Sequence, residues 1–522
     1  MRLRRLSISL LVSCLLGPVV LAQTKAAPEP HETRASQAFE AARKQGPLAL
    51  RTFLVGMPKG ADLHVHLAGA IYAESFLRAG AEDGLCIDTI ALKFAKPVDT
   101  GCAKDQIAAA ELLAHTQNNN QQLYDKVIDA FSIRSFMPYA EWSGHDQFFS
   151  TFDRFSGTDK KHTGEWIDEV LTRAAAQNEQ YIEIMETPPF GHAASLAYKI
   201  GWNENLAEFR QKLLDAGLDE EVAAAKEHIE QALATRNKLE HCSDSPDSKE
   251  PPACRVKVRF IYQILRNNPK EQVFAQTLLG FEAISKLPEY FVGINFVEPE
   301  DGPTGMRDYT AQMHMIEYLH SAYPNVHISL HAGELAPGLV PAEGLRFHIR
   351  QAVEIGHAER IGHGVDVMYE DDAPALLKEL AAKHVMIEIN LTSNDGILGI
   401  KGADHPLPFY RKAGVPVALS TDDEGVSRID LTHEYVRAAL DFPLSYADLK
   451  QMARTGMEHN FLPGKSLWAN PDVFTAPASA CKGQLLGGEK PSSTCQSFLT
   501  ENEKAAAQWE QERRFRAFEA KW

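Results

Sequence analysis

The sequence predicts an α/β fold of the (β/α)8 or TIM-barrel type, with a long insertion after the first strand and a C-terminal helical extension. Three observations carry this. Eight short apolar segments recur along the 522 residues, at 62–67, 181–185, 256–265, 291–297, 327–330, 360–362, 385–391 and 415–420. Helical stretches separate them in strict alternation, which argues for parallel strands joined by right-handed crossovers. The count of eight favours closure into a barrel, and the chain is long enough for a barrel with insertions.

Before the first strand, Arg2, Arg4 and Arg5 precede an apolar run that ends at Val20-Leu-Ala22. A charged start followed by an apolar stretch of this length reads as a signal peptide over 1–22, not a membrane span. The alternative is an acylation box, Leu11-Val-Ser-Cys14, with a lipid on Cys14. The apolar run continues past Cys14, which favours cleavage after Ala22 and a periplasmic or extracellular protein. Residues 23–56 are a polar leader followed by an amphipathic helix over 36–55 that delivers the chain to the barrel, 57–465. The gap between strands one and two is too long for an ordinary connection, so an insertion over about 85–180 must hold its own helices. It contains Cys86, Cys102, the polar run 117–122 and the aromatic-rich segment 131–155. Between strands two and three lies a helical stretch with a polar, Pro-rich tip at 242–254. The extension 466–522 has a loop bounded by Cys481 and Cys495 and a charged terminal helix over 501–522. That helix has two available partners, the barrel or a second copy, so a homodimer stays open.

Removal of the three arginines takes the formal net charge from −17 to −20. Phosphate backbones and anionic lipid repel such a chain, which argues against nucleic acid as a partner. Of seven cysteines, the six beyond Cys14 fall into near neighbours: Cys86 with Cys102, Cys242 with Cys254, Cys481 with Cys495. In an exported chain this pattern predicts local disulfides, and the lack of C-x-x-C spacing argues against zinc or redox chemistry at these thiols.

Chemistry-bearing residues gather at the ends of the apolar segments. His64 and His66, one residue apart on the first strand, face the same way and can share one ion. His331 ends strand five, His363 strand six, and Asp422 with Asp423 strand eight, the barrel end where active sites lie. Three imidazoles and a carboxylate suit a Zn²⁺-type ion with one open position, so His64, His66, His331 and Asp422 are the expected ligands. Glu334, three residues beyond His331, shares its cavity without binding the ion and suits a proton donor. His363 lies between two glycines that permit close approach to a substrate. Each residue has a plainer role available: a core hydrogen bond for His331, a helix start for the two aspartates, a tight turn for His363, a loop salt bridge for Glu334. Serine-nucleophile, nucleoside-triphosphate and dinucleotide fingerprints are absent from supporting contexts.

The motifs Met57-Pro-Lys with His64-Val-His66 and Gly69-Ala70, His331-Ala-Gly-Glu334, Arg360-Ile-Gly-His-Gly364, Glu388-Ile-Asn390 with Ser393-Asn394, and Ser420-Thr-Asp-Asp423 resemble the adenosine deaminase family in order and spacing. The leader, long insertion and cysteines resemble its secreted, growth-factor-type branch. The resemblance covers about residues 57–465 and implies hydrolysis at C6 of adenosine or a close adenine nucleoside, giving inosine and ammonia, with one Zn²⁺ per chain. It implies His64, His66, His331 and Asp422 as ligands, Glu334 as donor to purine N1, His363 as the residue that orients and deprotonates water, and Asp423 as the residue facing N7. Two positions depart from the family pattern. Ala68 stands where many members have an aspartate that grips the ribose, and Glu298 aligns with a glycine whose N–H meets purine N3. The expected partner is a small purine nucleoside. Other mononuclear metal amidohydrolases, or a binding protein on this fold, are the alternatives. A bridging lysine for two ions is missing from the fourth strand.

Overall fold

The computed structural model describes residues 30–114, 120–158, 160–243 and 249–522. The signal segment 1–22, with Cys14, lies outside the described residues. The eight barrel strands are β1 (Gly60–His66), β2 (Glu179–Glu186), β3 (Lys257–Leu265), β4 (Phe291–Val297), β5 (His327–Ala332), β6 (Arg360–His363), β7 (Met386–Ile389) and β8 (Val417–Leu419). They form one sheet in chain order, parallel throughout. The sheet closes where Val65 bridges Asp422, just past β8. There Asp422 N–H donates to the His64 carbonyl at 2.8 Å and His66 N–H to the Asp422 carbonyl at 3.1 Å. All eight predicted segments are strands, and the fold is the (β/α)8 barrel that their spacing implies.

Strand composition follows from burial on two sides. Phe-Val-Gly-Ile-Asn-Phe-Val in β4 is buried along its whole length, between the barrel interior and the helical layer, the usual setting of a parallel strand. Part of the interior is polar instead: Asp62, Glu183, Ser329, Arg360 and Glu388 are all buried.

Helix boundaries depart from the sequence reading at both ends. The single helix predicted over 36–55 is two, Pro30–Gln45 and Pro47–Val55. Gly46, at φ 105°, turns the chain, and Pro47 begins the second helix, where its missing N–H is harmless. The predicted terminal helix likewise starts at Glu503 and follows a shorter one, Ser493–Glu501. Its apolar face packs on its own chain: Phe515 and Phe518 are buried, and Phe518 meets Phe53 edge-on at 5.2 Å.

The insertion begins as a three-stranded antiparallel sheet with Cys86–Asp88 at its centre. Helix Gly144–Phe155 follows, started by a capping box between Ser143 and Asp146. Gly144 is pressed against the barrel: a Cβ there would come within 1.8 Å of the Gly396 carbonyl oxygen. Three disulfides join Cys86 to Cys102, Cys242 to Cys254 and Cys481 to Cys495. Among the described residues no helix is long and apolar enough to cross a membrane.

Candidate metal centre and active-site cavity

The strand ends bring His64, His66, His331 and Asp422 together, with one ligand atom of each within 4.8 Å of the others. Both His64 Nε2 and His66 Nε2 lie 3.1 Å from His331 Nε2. Asp422 Oδ1 is 3.3 Å from His64 Nε2 and 3.4 Å from His66 Nε2. The cluster forms because alternate residues of β1 share a face and β1 lies beside the end of β8.

What surrounds the rings decides what they present. His64 Nδ1 is 2.6 Å from Glu388 Oε2, His66 Nδ1 2.5 Å from Gln263 Oε1, and His331 Nδ1 2.7 Å from Asn295 Oδ1. Asn295 Oδ1 also accepts the His331 backbone N–H, and Gln263 turns its amide nitrogen to Thr187 Oγ1, so the facing atoms are acceptors. In its neutral form each imidazole therefore carries its hydrogen on Nδ1 and aims a bare lone pair from Nε2 at the others. Three lone pairs and a carboxylate oxygen this close repel one another and call for a cation at their centre. The protein alone shows the same demand. Burial opposes a charge on His64, yet Asp422 and Glu388 outweigh it and push the ring up to about 10. Burial brings His66 down to about 4 and His331 well below the usual histidine value. The donor set, three nitrogens and one oxygen, fits a Zn²⁺-type ion.

The other predicted residues line the same space. Glu334 is buried and its backbone N–H is held by Glu300 Oε2 at 2.8 Å. Burial, with Asp422 and Glu300 nearby, raises its carboxyl well above the ordinary range, the condition of a proton donor. His363 Nδ1 is 3.6 Å from Glu334 Oε1, and its Nε2 is 3.7 Å from Asp422 Oδ2. Burial holds His363 down at about 4, so the ring is neutral. Leu407 N–H donates to His405 Nδ1, His405 Nε2 meets Asn394 Oδ1, and Asn394 Nδ2 therefore faces His363 Nδ1 at 2.9 Å. That chain leaves the hydrogen of His363 on Nε2. Asp423 Oδ1 is buried with no hydrogen-bond partner, and burial together with Asp422 raises its carboxyl. Glu298 has a left-handed backbone, φ 80°, which suits the glycine it aligns with. Its side chain accepts the Asn267 N–H at 2.8 Å.

These residues open on a cavity of about 490 Å³, a size suited to a small organic ligand. Ala68 is in its wall, as is the insertion helix, which contributes Phe148, Phe149, Phe152 and Asp153. Carboxylates Asp153, Glu298, Glu334, Asp422 and Asp423 line it, and among the described lining residues there is no lysine or arginine.

Comparison with known proteins adds independent support. Residues 168–467, more than half of the chain, match the adenosine deaminase family. The chain belongs to the adenosine deaminase family. The match begins beyond His64 and His66, so it is the structure that joins them to His331 and Asp422. Adenosine deaminase of Shewanella loihica is 39% identical over 136 residues, 26% of this chain and 38% of that protein. The aligned stretch thus spans under half of the relative. Among solved structures, the apo N6-methyl-AMP deaminase of Arabidopsis thaliana aligns with a TM-score of 0.51 at 19% identity, over 79% of this chain and 94% of that one. An amidohydrolase of Burkholderia ambifaria with bound Zn aligns with a TM-score of 0.51 at 17% identity, over 79% and 88%. At such identities the likeness is one of fold.

Sequence reasoning gave no role to Gln263, Asn295, Glu300, Asn394 or His405. A signal existed for two of them. Asn295 is a lone amide inside the otherwise apolar β4, and Gln263 interrupts the apolar second half of β3; a buried amide needs a partner.

Proposed function

We propose that the protein is a metal-dependent hydrolase that deaminates adenosine, or a close adenine nucleoside, at purine C6 to give inosine and ammonia. The observation that carries this reading is the convergence of three Nε2 lone pairs and Asp422 beside Glu334, His363 and Asp423 in one cavity. His64, His66, His331 and Asp422 hold one divalent ion, with zinc the assigned metal, and Glu298 borders the substrate. When bound, that ion supplies the Lewis acidity that lets water act as a nucleophile near neutral pH.

This chain's residues do the rest. Glu334 gives its proton to N1, so that negative charge does not build in the ring as C6 becomes tetrahedral. Asp423 faces N7. His363 and Asp422 Oδ2, 3.7 Å apart, flank the attacking water. With its hydrogen on Nε2, His363 orients that water by donating to it, and Asp422 Oδ2 takes the proton. This reassigns the base expected at His363 from the family pattern; the reason is the fixed orientation of Asn394. That proton then reaches the leaving nitrogen, which departs as ammonia, while the proton left on the C6 oxygen returns to Glu334 as the carbonyl forms.

The acidic lining favours an uncharged nucleoside over a nucleotide, whose phosphate would meet carboxylates and no cation. The three disulfides support an exported protein of the growth-factor-type branch. The deciding experiment incubates zinc-loaded protein with adenosine, deoxyadenosine, 5'-modified adenosines, adenine and AMP, following ammonia and the ultraviolet change. Turnover of none of them overturns the reading.

A further inference from the structure

A continuous chain of buried charges runs through the barrel from its N-terminal end to the ligand His64. Arg360, at the start of β6, puts Nε 2.7 Å from Glu388 Oε1. Its Nη1 lies 2.6 Å from Glu183 Oε2 and donates to the His459 carbonyl at 3.1 Å. The guanidinium rests over Phe461, 3.9 Å from the ring centroid. Glu183 is pinned in turn: its Oε1 accepts Tyr181 O–H at 2.8 Å and the Phe461 backbone N–H at 2.7 Å. Glu388 accepts Ser329 O–H at 3.1 Å and turns its other oxygen to His64 Nδ1. Arg360, Glu183, Glu388 and His64 are fully buried.

We infer that Arg360 and Phe461 are positioning residues for the metal centre, setting its affinity for the ion from the opposite end of the barrel. The inference rests on the proposal that His64 is a ligand. A buried carboxylate has no solvent to replace a lost partner, so Glu388 stays where Arg360 holds it. His64 has little freedom of its own: Gly362 passes so close that a Cβ there would lie 2.5 Å from His64 Cε1. Packing fixes one side of the ring and Glu388 fixes its tilt. Phe461 acts at both ends of the Arg360–Glu183 pair, its ring under the guanidinium and its N–H on the carboxylate. A change at Phe461 therefore moves Arg360, then Glu388, then the lone pair that His64 offers the ion. Outer partners of metal-bound histidines commonly govern affinity in this way.

The test uses the full chain, stripped of metal and titrated with zinc against a chromogenic chelator. Cobalt-loaded protein is followed in parallel, because its visible spectrum reports ligand geometry. The variants are Arg360→Lys and Phe461→Leu. The control is Arg454→Met, which breaks a different ion pair, with Glu512 of the extension at 2.7 Å, outside the chain to His64. Both test variants should weaken zinc binding by about 10- to 100-fold and change the cobalt spectrum, while the control lowers the melting temperature and leaves affinity within about twofold. Phe461→Leu removes no charge and decides alone if Arg360→Lys does not fold. Wild-type affinity and spectrum in Phe461→Leu overturn the inference while the metal centre stands. Failure of the wild-type protein to bind zinc overturns both.

Discussion

Replacing Gly69 with alanine should disable the site. Gly69 lies in the one-turn helix Leu67–Ala70 that follows β1, and a Cβ there would stand 1.4 Å from Asp423 Oδ1, 2.3 Å from Cγ and 2.6 Å from Cβ. Contact between such atoms needs about 3.5 Å. Rotating the carboxylate cannot clear the clash, because Asp423 Cβ is itself too near. Asp423 must withdraw bodily, by about 1 Å at Cβ and about 2 Å at the carboxylate, on this contact distance. A misplacement of about 1 Å in a reacting group costs on the order of 100-fold in rate, or about 2.7 kcal/mol. Alanine is meanwhile the better helix former by about 1 kcal/mol, which offsets part of the strain. The assay is kcat/KM for adenosine, with zinc content by atomic absorption and the melting temperature. We expect activity to fall 100-fold or more, on the scale of that misplacement, with the metal retained. Activity close to wild type would show that Asp423 has room the structure does not give it.

Other outcomes follow from the same site. Purified protein should carry about one equivalent of zinc, chelation should abolish turnover and one added equivalent should restore it; two tightly held ions, both needed, would refute the four-ligand centre. Glu334→Gln should keep the metal and lower kcat by about 10²- to 10⁴-fold, the usual contribution of a general acid, and near-normal turnover would leave Glu334 a structural residue. AMP should be processed at least about 100-fold less efficiently than adenosine, since no cation among the described residues faces its phosphate; equal efficiency would place a phosphate-binding group in the cavity. Peptide mapping without reduction should recover the pairs Cys86–Cys102, Cys242–Cys254 and Cys481–Cys495. Each should stabilise by about 2 to 4 kcal/mol, and free thiols in exported material would remove the staples.

The barrel and the four residues that converge at its strand ends were legible because each signal was local. A buried strand is an apolar run, and His64, His66, His331 and Asp422 each stand where such a run stops. The partners of His66 and His331 were not. Gln263 reaches His66 from β3 and Asn295 reaches His331 from β4, contacts set by strand register and barrel tilt, which no single segment encodes. The insertion was legible as an excursion but not as a wall of the cavity. Its position depends on the approach of Gly144 to Gly396, between segments far apart in the chain. The break at Gly46-Pro47 was readable and lost to the amphipathic pattern on either side, which continues across it.

The seam that closes the barrel carries a consequence for how the protein acquires its ion. Two of the four proposed ligands are on the first strand and a third is just past the last, and the hydrogen bonds that join these strands belong to His64, His66 and Asp422 themselves. A ribosome has made most of the chain before Asp422 exists, so no nascent fragment can assemble the centre. Contacts between such distant segments must also overcome loop-closure entropy before they form. A chain threaded unfolded across a membrane would leave the donor compartment's metal behind and fasten its first strand to its last around whatever ion the receiving compartment supplies. Metal identity would then be a property of where the barrel shuts.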